Sequence, residues 1–436
     1  MSKMKPSPHA SRGPGSSTIL GVALFFFLFT WGIKFDFVLG TTPLWFYVSI
    51  PLFLICIGRI GALTGFVLVA ATTFALLLLH LYVATELTGM SSAGAGVDVR
   101  HIGIAVFASV TVACLAKGVL SVSSFEEAIL LAVRIFLPIQ LAVMIAQTVL
   151  GYSSGNSQYQ HYFLPIERQG GILREPSHVG IMLSIPISIL LQFPRRWIAE
   201  MGLLQSAILF MIVVLCPSAT LIVSVFLNVV VLLARSNRGR LVLLAAMIVA
   251  PSLLSIAYVL RDQNPIFERI IDLLDILSGR INGHQNVSSI VYAKSVYVLQ
   301  RVMESYPFGF GLDNYIFANW TYGFQLTTAF GNINERDGSS AVLKFLTEFG
   351  GAGLLLFLIV LVKHTRDAFG SGPRKMIGAI FLNLLIGNVI RGAGYFDGGF
   401  LLAFAGALTG NLASLHRRPR KMMRMKTAVQ VGATPN

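Results

Sequence analysis

The chain alternates between long apolar runs and short polar breaks. The runs predict spans at 18–34, 41–58, 61–83, 101–119, 127–149, 177–193, 201–216, 218–234, 241–259, 340–362, 376–391 and 397–414. Most approach the roughly 20 apolar residues that a helix needs to cross a bilayer core. Three, 177–193, 201–216 and 376–391, are near the short limit, and Pro217 is the only clear break between the seventh and eighth. The pattern predicts an all-α polytopic membrane protein of about 12 transmembrane helices. It lapses longest over 261–338, and a loop of that length is usually functional or separately folded. Within it Phe267, Ile270, Ile271, Leu274 and Leu277 recur at helical spacing and predict a short amphipathic helix at the membrane interface. A second helix is predicted from Val287 to Ser305. Tyr292, Val296, Leu299 and Met303 make its apolar stripe, Lys294 and Arg301 share another face, and Pro307 ends it.

Composition narrows the class. The 436 residues are 55% hydrophobic and 12% charged, with mean hydropathy +0.74, which excludes a soluble multidomain enzyme. The formal charge of +14 would suit a nucleic-acid partner, but its distribution argues against one and for a lipid bilayer. With the N-terminus cytoplasmic, the turns Pro194-Arg-Arg, Arg235-Ser-Asn-Arg-Gly-Arg and Pro373-Arg-Lys all fall on the cytoplasmic side, as does the C-terminus. This divides the chain into a basic N-terminus (1–17), nine helices (18–260) with an outer loop at 150–176, the large outer loop (261–338), three helices (339–415) and a basic tail (416–436). The basic start and the apolar run after it lack a small-x-small cleavage site, and so read as a retained first helix. Cys56, Cys114 and Cys216 lie in apolar runs; neither a disulfide framework nor a metal site is expected, and no cofactor. The stretch Gly309-Phe-Gly-Leu reads as a glycine-hinged turn, because no strand precedes it to support a dinucleotide fingerprint.

Candidate chemistry concentrates in Arg168-Gln-Gly-Gly-Ile-Leu-Arg-Glu-Pro-Ser-His-Val-Gly180. Pro176 suits the first turn of a helix, which places Arg174 and Glu175 at the mouth of a span. Charge there either anchors the helix end or forms a site for an anionic, membrane-held substrate. Basic residues on the outer face resist the positive-inside tendency, and arginine holds phosphate bidentately. The cluster therefore fits a lipid carrying phosphate or pyrophosphate, or, more plainly, phospholipid headgroups. Glu175 and His178 lie within a turn of Arg174, and either could take a proton from a hydroxyl. Lys344 and Glu348 share a helix face and could pair within the membrane, functionally or structurally. Arg391, at the outer end of its span near Asp397, is a further phosphate ligand or an anchor.

Three of these stretches carry a family resemblance. Gly170-Gly-Ile-Leu-Arg-Glu-Pro-Ser-His-Val-Gly is similar to the outer-loop arginine motif of the Wzy-type polymerase and O-antigen ligase superfamily. Tyr306-Pro-Phe-Gly-Phe-Gly-Leu-Asp-Asn-Tyr is similar to the Pro-x-Gly-x-Gly turn of its large periplasmic loop. Ser339-Ser340, followed by Gly350-Gly-Ala-Gly, is similar to its motif at the start of the tenth span. The ligases carry a histidine where this chain has Ser339, which points toward the polymerases. The resemblance implies a GT-C-like fold in the bacterial inner membrane with its active site facing the periplasm. It implies an inverting glycosyltransferase that joins undecaprenyl-pyrophosphate-linked oligosaccharides into exopolysaccharide or O-antigen, with flippase and chain-length regulator proteins as possible partners. Arg174 and Glu175, with His178, are then the catalytic candidates, Glu175 being the preferred base. Arg280 and Arg336 join Arg174 on phosphate, followed by Arg168. Lys294, Asp313, Asn314, Tyr315, Ser339, Lys344 and Arg391 complete the substrate-binding set. Ligase-type transfer to another acceptor and transport of a lipid-linked saccharide are the alternatives.

Overall fold

The computed structural model describes residues 15–30, 34–37, 40–45, 47, 63–88, 99–114, 122–151, 161, 166–173, 175–260, 267–268, 271–272, 274–275, 278, 287–323, 335–336, 338–370, 372, 374–392 and 398–408. The expected spans largely appear as helices: α1 (Gly15–Phe29), α2 (Leu63–Thr88), α3 (Val99–Cys114), α4 (Val122–Val149), α5 (Pro176–Gln192), α6 (Pro194–Leu215), α7 (Ala219–Ala234) and α8 (Asn237–Val259). The long loop contributes α9 (Val287–Ser305) and α10 (Tyr315–Tyr322), and the chain continues through α11 (Ala341–Phe369), α12 (Lys375–Ile390) and α13 (Gly398–Leu408). Among the described residues, four helices are long and apolar enough to cross a membrane, and five shorter ones are apolar.

Two expectations change. The first span stops at Phe29, and a hairpin follows, with β1 (Lys34–Phe37) antiparallel to β2 (Gly40–Pro43) and Phe37 opposite Gly40. Phe35 and Phe37 alternate with polar residues, and Thr41-Thr42-Pro43 is β-branched and lacks a donor at its end, so a strand suits this sequence better than a helix. The second expected span, 41–58, thus begins in a strand, and 48–58 lie outside the described residues. The second change is in α6, which starts at Pro194 and is broken at Gly202 (φ 71°, ψ −177°). The expected span 201–216 is its second piece. Its first piece is polar, and there Arg196 pairs with Glu126 of α4.

Burial sets the architecture. α5 and α12 are almost wholly buried and form the centre, whereas α8 packs on α7 and exposes Leu241, Met247 and Ile248. A helix with apolar residues all round, as α12 has beside Asn383 and Asn388, belongs inside a bundle or a bilayer. α12 packs against α11, α5, α7 and α13, and α1 packs on α4 through stacked Phe29 and Phe136, ring centroids 4.0 Å apart.

α11 is broken at Gly350 (φ 55°, ψ −138°). A break in an apolar helix frees carbonyls that must find donors. The turn 307–314 supplies them: Phe310 N donates to Thr347 O (3.1 Å) and Gly311 N to Glu348 O (2.9 Å), while Pro307 O accepts from Gly351 N (2.7 Å). The Pro-x-Gly-x-Gly stretch and the Gly350-Gly-Ala-Gly stretch, distant in sequence, are therefore one structural unit.

Candidate functional site

The loop before α5 is fixed at Gly170, Gly171 and Ile172 by two glutamines of α4. Gln140 Oε1 accepts from Ile172 N (3.0 Å) and its Nε2 donates to Gly170 O (3.2 Å); Gln147 Oε1 accepts from Gly171 N (2.9 Å). They stand seven residues apart, on one helix face. Gly171 has φ 56°, and a Cβ there would strike Gln140. Arg168 is buried, its Nη1 donating to Pro217 O (3.1 Å) between α6 and α7. That contact ties the loop to the α6–α7 turn and places Arg168 under the site rather than on its surface.

Glu175 caps α5 in extended conformation, followed by Pro176 at the first helical position. Its side chain makes no cap bond and turns instead to Arg391, just beyond α12. Arg391 Nη2 donates to Glu175 Oε2 (3.0 Å), Ser177 Oγ donates to the same oxygen (3.2 Å), and His178 Nε2 lies 3.7 Å away. Burial alone pushes the Glu175 carboxyl up; His178, Arg391 and the Ser177 hydroxyl outweigh it and hold the carboxyl below its ordinary value. The pair is partly exposed, Arg391 at 22% and Glu175 at 32% of the side chain. Glu175 Oε1 has no partner among the described residues, so the ionised carboxylate has one oxygen open to a hydroxyl.

A second helix start lies beside this pair. Ser340 Oγ accepts from Leu343 N (3.2 Å), capping α11, and donates to Asn388 O (2.8 Å) of α12. A Cβ on Gly392 would press on Ala341, so Arg391 sits one residue from the start of α11. One turn into α11, Lys344 Nζ lies 3.5 Å from Asp313 Oδ1 and 3.8 Å from Glu348 Oε1. The expected Lys344–Glu348 pairing is therefore present, and Asp313 joins it. Glu348 is wholly buried, and its carboxylate accepts from Asp313 N (2.8 Å) and Tyr315 N (3.1 Å). These bonds hold Asp313 at φ 61° and start α10.

The remaining candidates divide by position. Ser339 is buried with φ 55°, next to the α11 cap. Asn314 and Tyr315 are buried, Asn314 Nδ2 bonding Phe310 O (2.9 Å) and Tyr315 Oη bonding Ser295 Oγ (3.0 Å), so both shape the turn. Lys294 is buried on α9; burial lowers its ammonium below the ordinary range, and Glu335 partly offsets this. Arg336 is exposed. Arg174, Arg280 and Asp397 lie outside the described residues. Among the described residues no three His, Cys, Asp or Glu side chains are grouped to hold a metal ion.

Gln140 and Gln147 have no place in the motifs; they are polar residues within an apolar span, and that is their signal in the sequence. Asn388 takes part through its backbone carbonyl, which no residue pattern marks. The arrangement joins two helix N-termini, a partly exposed arginine and an ionised carboxylate at one end of the bundle, which can bind an oxyanion and polarise a hydroxyl at once. No protein-family model and no curated protein matches the chain.

Proposed function

We propose that the protein is a multi-pass inner-membrane polymerase of about twelve spans and GT-C-like architecture. It joins undecaprenyl-pyrophosphate-linked oligosaccharides on the periplasmic face. The observation that carries this reading is convergence of the three stretches that resemble the family separately: 170–180 meets Arg391 through Glu175, Gly392 next to Arg391 lies against the helix that follows Ser339-Ser340, and that helix in turn holds 306–315. The contacts run from Glu175 to Arg391 (3.0 Å), from Ser340 to Asn388 (2.8 Å) and from Lys344 to Asp313 (3.5 Å).

In this mechanism Arg391, with Arg174 beside Glu175 in sequence, holds the donor pyrophosphate at the paired helix starts. Lys344 contributes charge from α11. Pyrophosphate neutralised in this way is a good leaving group, and charge stabilised there lowers the barrier to breaking the anomeric C–O bond. Glu175 Oε1 takes the proton of the acceptor hydroxyl, whose oxygen attacks the anomeric carbon and inverts it. Arg168, Asn314, Tyr315 and Glu348 keep the loop and turn in place. The test is purified protein in liposomes given only the lipid-linked repeat unit. Polymer formation supports the proposal. Transfer only after a different acceptor is added supports the ligase reading, and movement of the saccharide across the bilayer without bond formation supports transport.

A further inference from the structure

Below the site, α5, α7 and α12 meet along a polar seam. α5 carries Ser184, Ser188 and Gln192, α7 carries Ser224 and Asn228, and α12 carries Asn383; all are buried. Asn228 Oδ1 accepts from Gln192 Nε2 (2.6 Å) and from Asn383 Nδ2 (3.2 Å), which joins the three helices. The other donors go to backbone: Asn228 Nδ2 to Ser224 O (2.9 Å) and Asn383 Nδ2 to Ala379 O (2.9 Å).

The seam leaves several oxygens unpaired. Gln192 Oε1, Asn383 Oδ1, Ser184 Oγ and Ser224 Oγ reach no partner among the described residues. A serine can turn its hydroxyl onto its own helix, as Ser188 does onto Ser184 O (2.6 Å). A carboxamide oxygen has no such recourse, and exchanging amide oxygen for nitrogen only replaces lone acceptors by lone donors. In a bilayer core lipid offers no donor either. Spacing points to what does. Polar residues four apart on a helix stand about 6 Å apart along its axis, close to the span of two hydrogen bonds through one water oxygen. The seam starts under the site, where Thr220 Oγ1 donates to Ser177 O (2.8 Å) and Ser177 Oγ donates to Glu175.

We infer that α5, α7 and α12 enclose a file of bound water, running from beneath Glu175 past Ser184 and Ser224 to the Gln192–Asn228–Asn383 junction, where it ends. Each water supplies donors to the orphaned oxygens and accepts from the serine hydroxyls. Carboxamides neither gain nor lose protons near neutral pH, so the junction satisfies the last water and closes the file toward the opposite surface. The inference rests on these helices lying in a membrane and is independent of the reaction catalysed above.

The test is thiol chemistry, because a thiol reacts as thiolate and needs water to ionise. Ser184→Cys and Ser224→Cys change one atom each and are made in a background whose three native cysteines are alanine. Methanethiosulfonate ethylammonium is applied to membrane vesicles of each orientation loaded with free cysteine, which consumes reagent that crosses the bilayer as the neutral amine, with lipid-facing Phe226→Cys as control. Both thiols are expected to react at least about tenfold faster than the control from the face that carries Glu175, Ser184→Cys ahead of Ser224→Cys. If either reacts no faster than Phe226→Cys, the seam is dry and the inference is overturned. Faster reaction from the opposite face overturns the closed end.

Discussion

The backbone of Gly309 lies directly against that of Gly350. A Cβ on either would run into the other segment's main chain, and both residues sit at positive φ, 80° and 55°. The break in α11 and the turn of the long loop are therefore interdependent: without the turn, the broken helix would keep unpaired carbonyls. Gly350→Ala combines left-handed strain with a backbone collision and should cost about 2–4 kcal/mol. The expected result is a clear loss of thermal stability in detergent together with loss of the proposed polymerising activity. A variant as stable as the parent would show that the two segments are not tightly docked.

The Glu348 carboxylate should tolerate change poorly. It is wholly buried, accepts two backbone N–H groups and pairs with Lys344. Glu348→Gln keeps the volume but turns one acceptor into a donor facing a backbone donor. Breaking one partner of a buried pair costs about 3–5 kcal/mol, so little folded protein is expected. Lys344→Met removes the charge while keeping the stem and leaves Glu348 its backbone donors, so it should be milder. Equal loss from both variants, measured as folded yield and thermal midpoint, would contradict this ordering.

Arg391 and Arg174 should behave alike. Arg391 lies beside the start of α11 and Arg174 shortly precedes that of α5 in sequence, helix starts whose N–H groups already favour an anion, and both are arginines, whose fork lysine lacks. If the proposed reaction is right, alanine at either position should lower polymerisation by roughly 30- to 1000-fold, the equivalent of about 2–4 kcal/mol of lost phosphate stabilisation. Lysine should not rescue it. A lysine that merely anchors would snorkel equally well, so near-normal polymer from Arg391→Lys or Arg174→Lys at parental expression would remove that residue from the site.

Much of the fold was legible because an apolar run of helical length has few alternatives in a chain this hydrophobic. The boundaries of α9, the end at Pro307 and the Lys344–Glu348 pairing were read from periodicity and spacing alone. The Gly202 break was not, since its first piece carries Arg195, Arg196 and Glu200 and lacks an apolar signature. Nor was the hairpin at 34–43, where two short strands interrupt what hydropathy reads as two spans. At the site, the residues were visible one motif at a time, but their meeting was not. Arg391 stands near Asp397 in sequence, whereas its partner among the described residues is Glu175, 216 positions away. Pairings of that range depend on how α5 and α12 pack, which local pattern does not encode. For the same reason Arg168 reads as a surface cation in sequence yet lies buried beneath the loop it starts.

The titration of Glu175 separates its proposed role as base from a purely structural one. Burial pushes its carboxyl up, and His178, Arg391 and Ser177 bring it below the ordinary value of 4.5. A carboxyl depressed by folding contributes stability that is fully present above 4.5 and is lost as pH falls through the lower, folded value. The parent should thus keep the Glu175–Arg391 contribution at neutral pH and lose it only in strong acid. Its polymerisation rate should have an acid limb below 4.5, since a base must be ionised to act. Arg391→Ala removes one of the lowering charges and leaves burial in place, so the acid limb of its residual activity should move upward. Glu175→Gln keeps the shape but neither ionises nor accepts a proton, so it should abolish both activity and limb, with only modest loss of stability for so exposed a pair. The measurements are initial polymerisation rates and detergent melting curves across the acid range for parent, Arg391→Ala and Glu175→Gln. An acid limb that stays fixed when Arg391 is removed would assign the titration to another group and leave Glu175 as the clamp that positions Arg391.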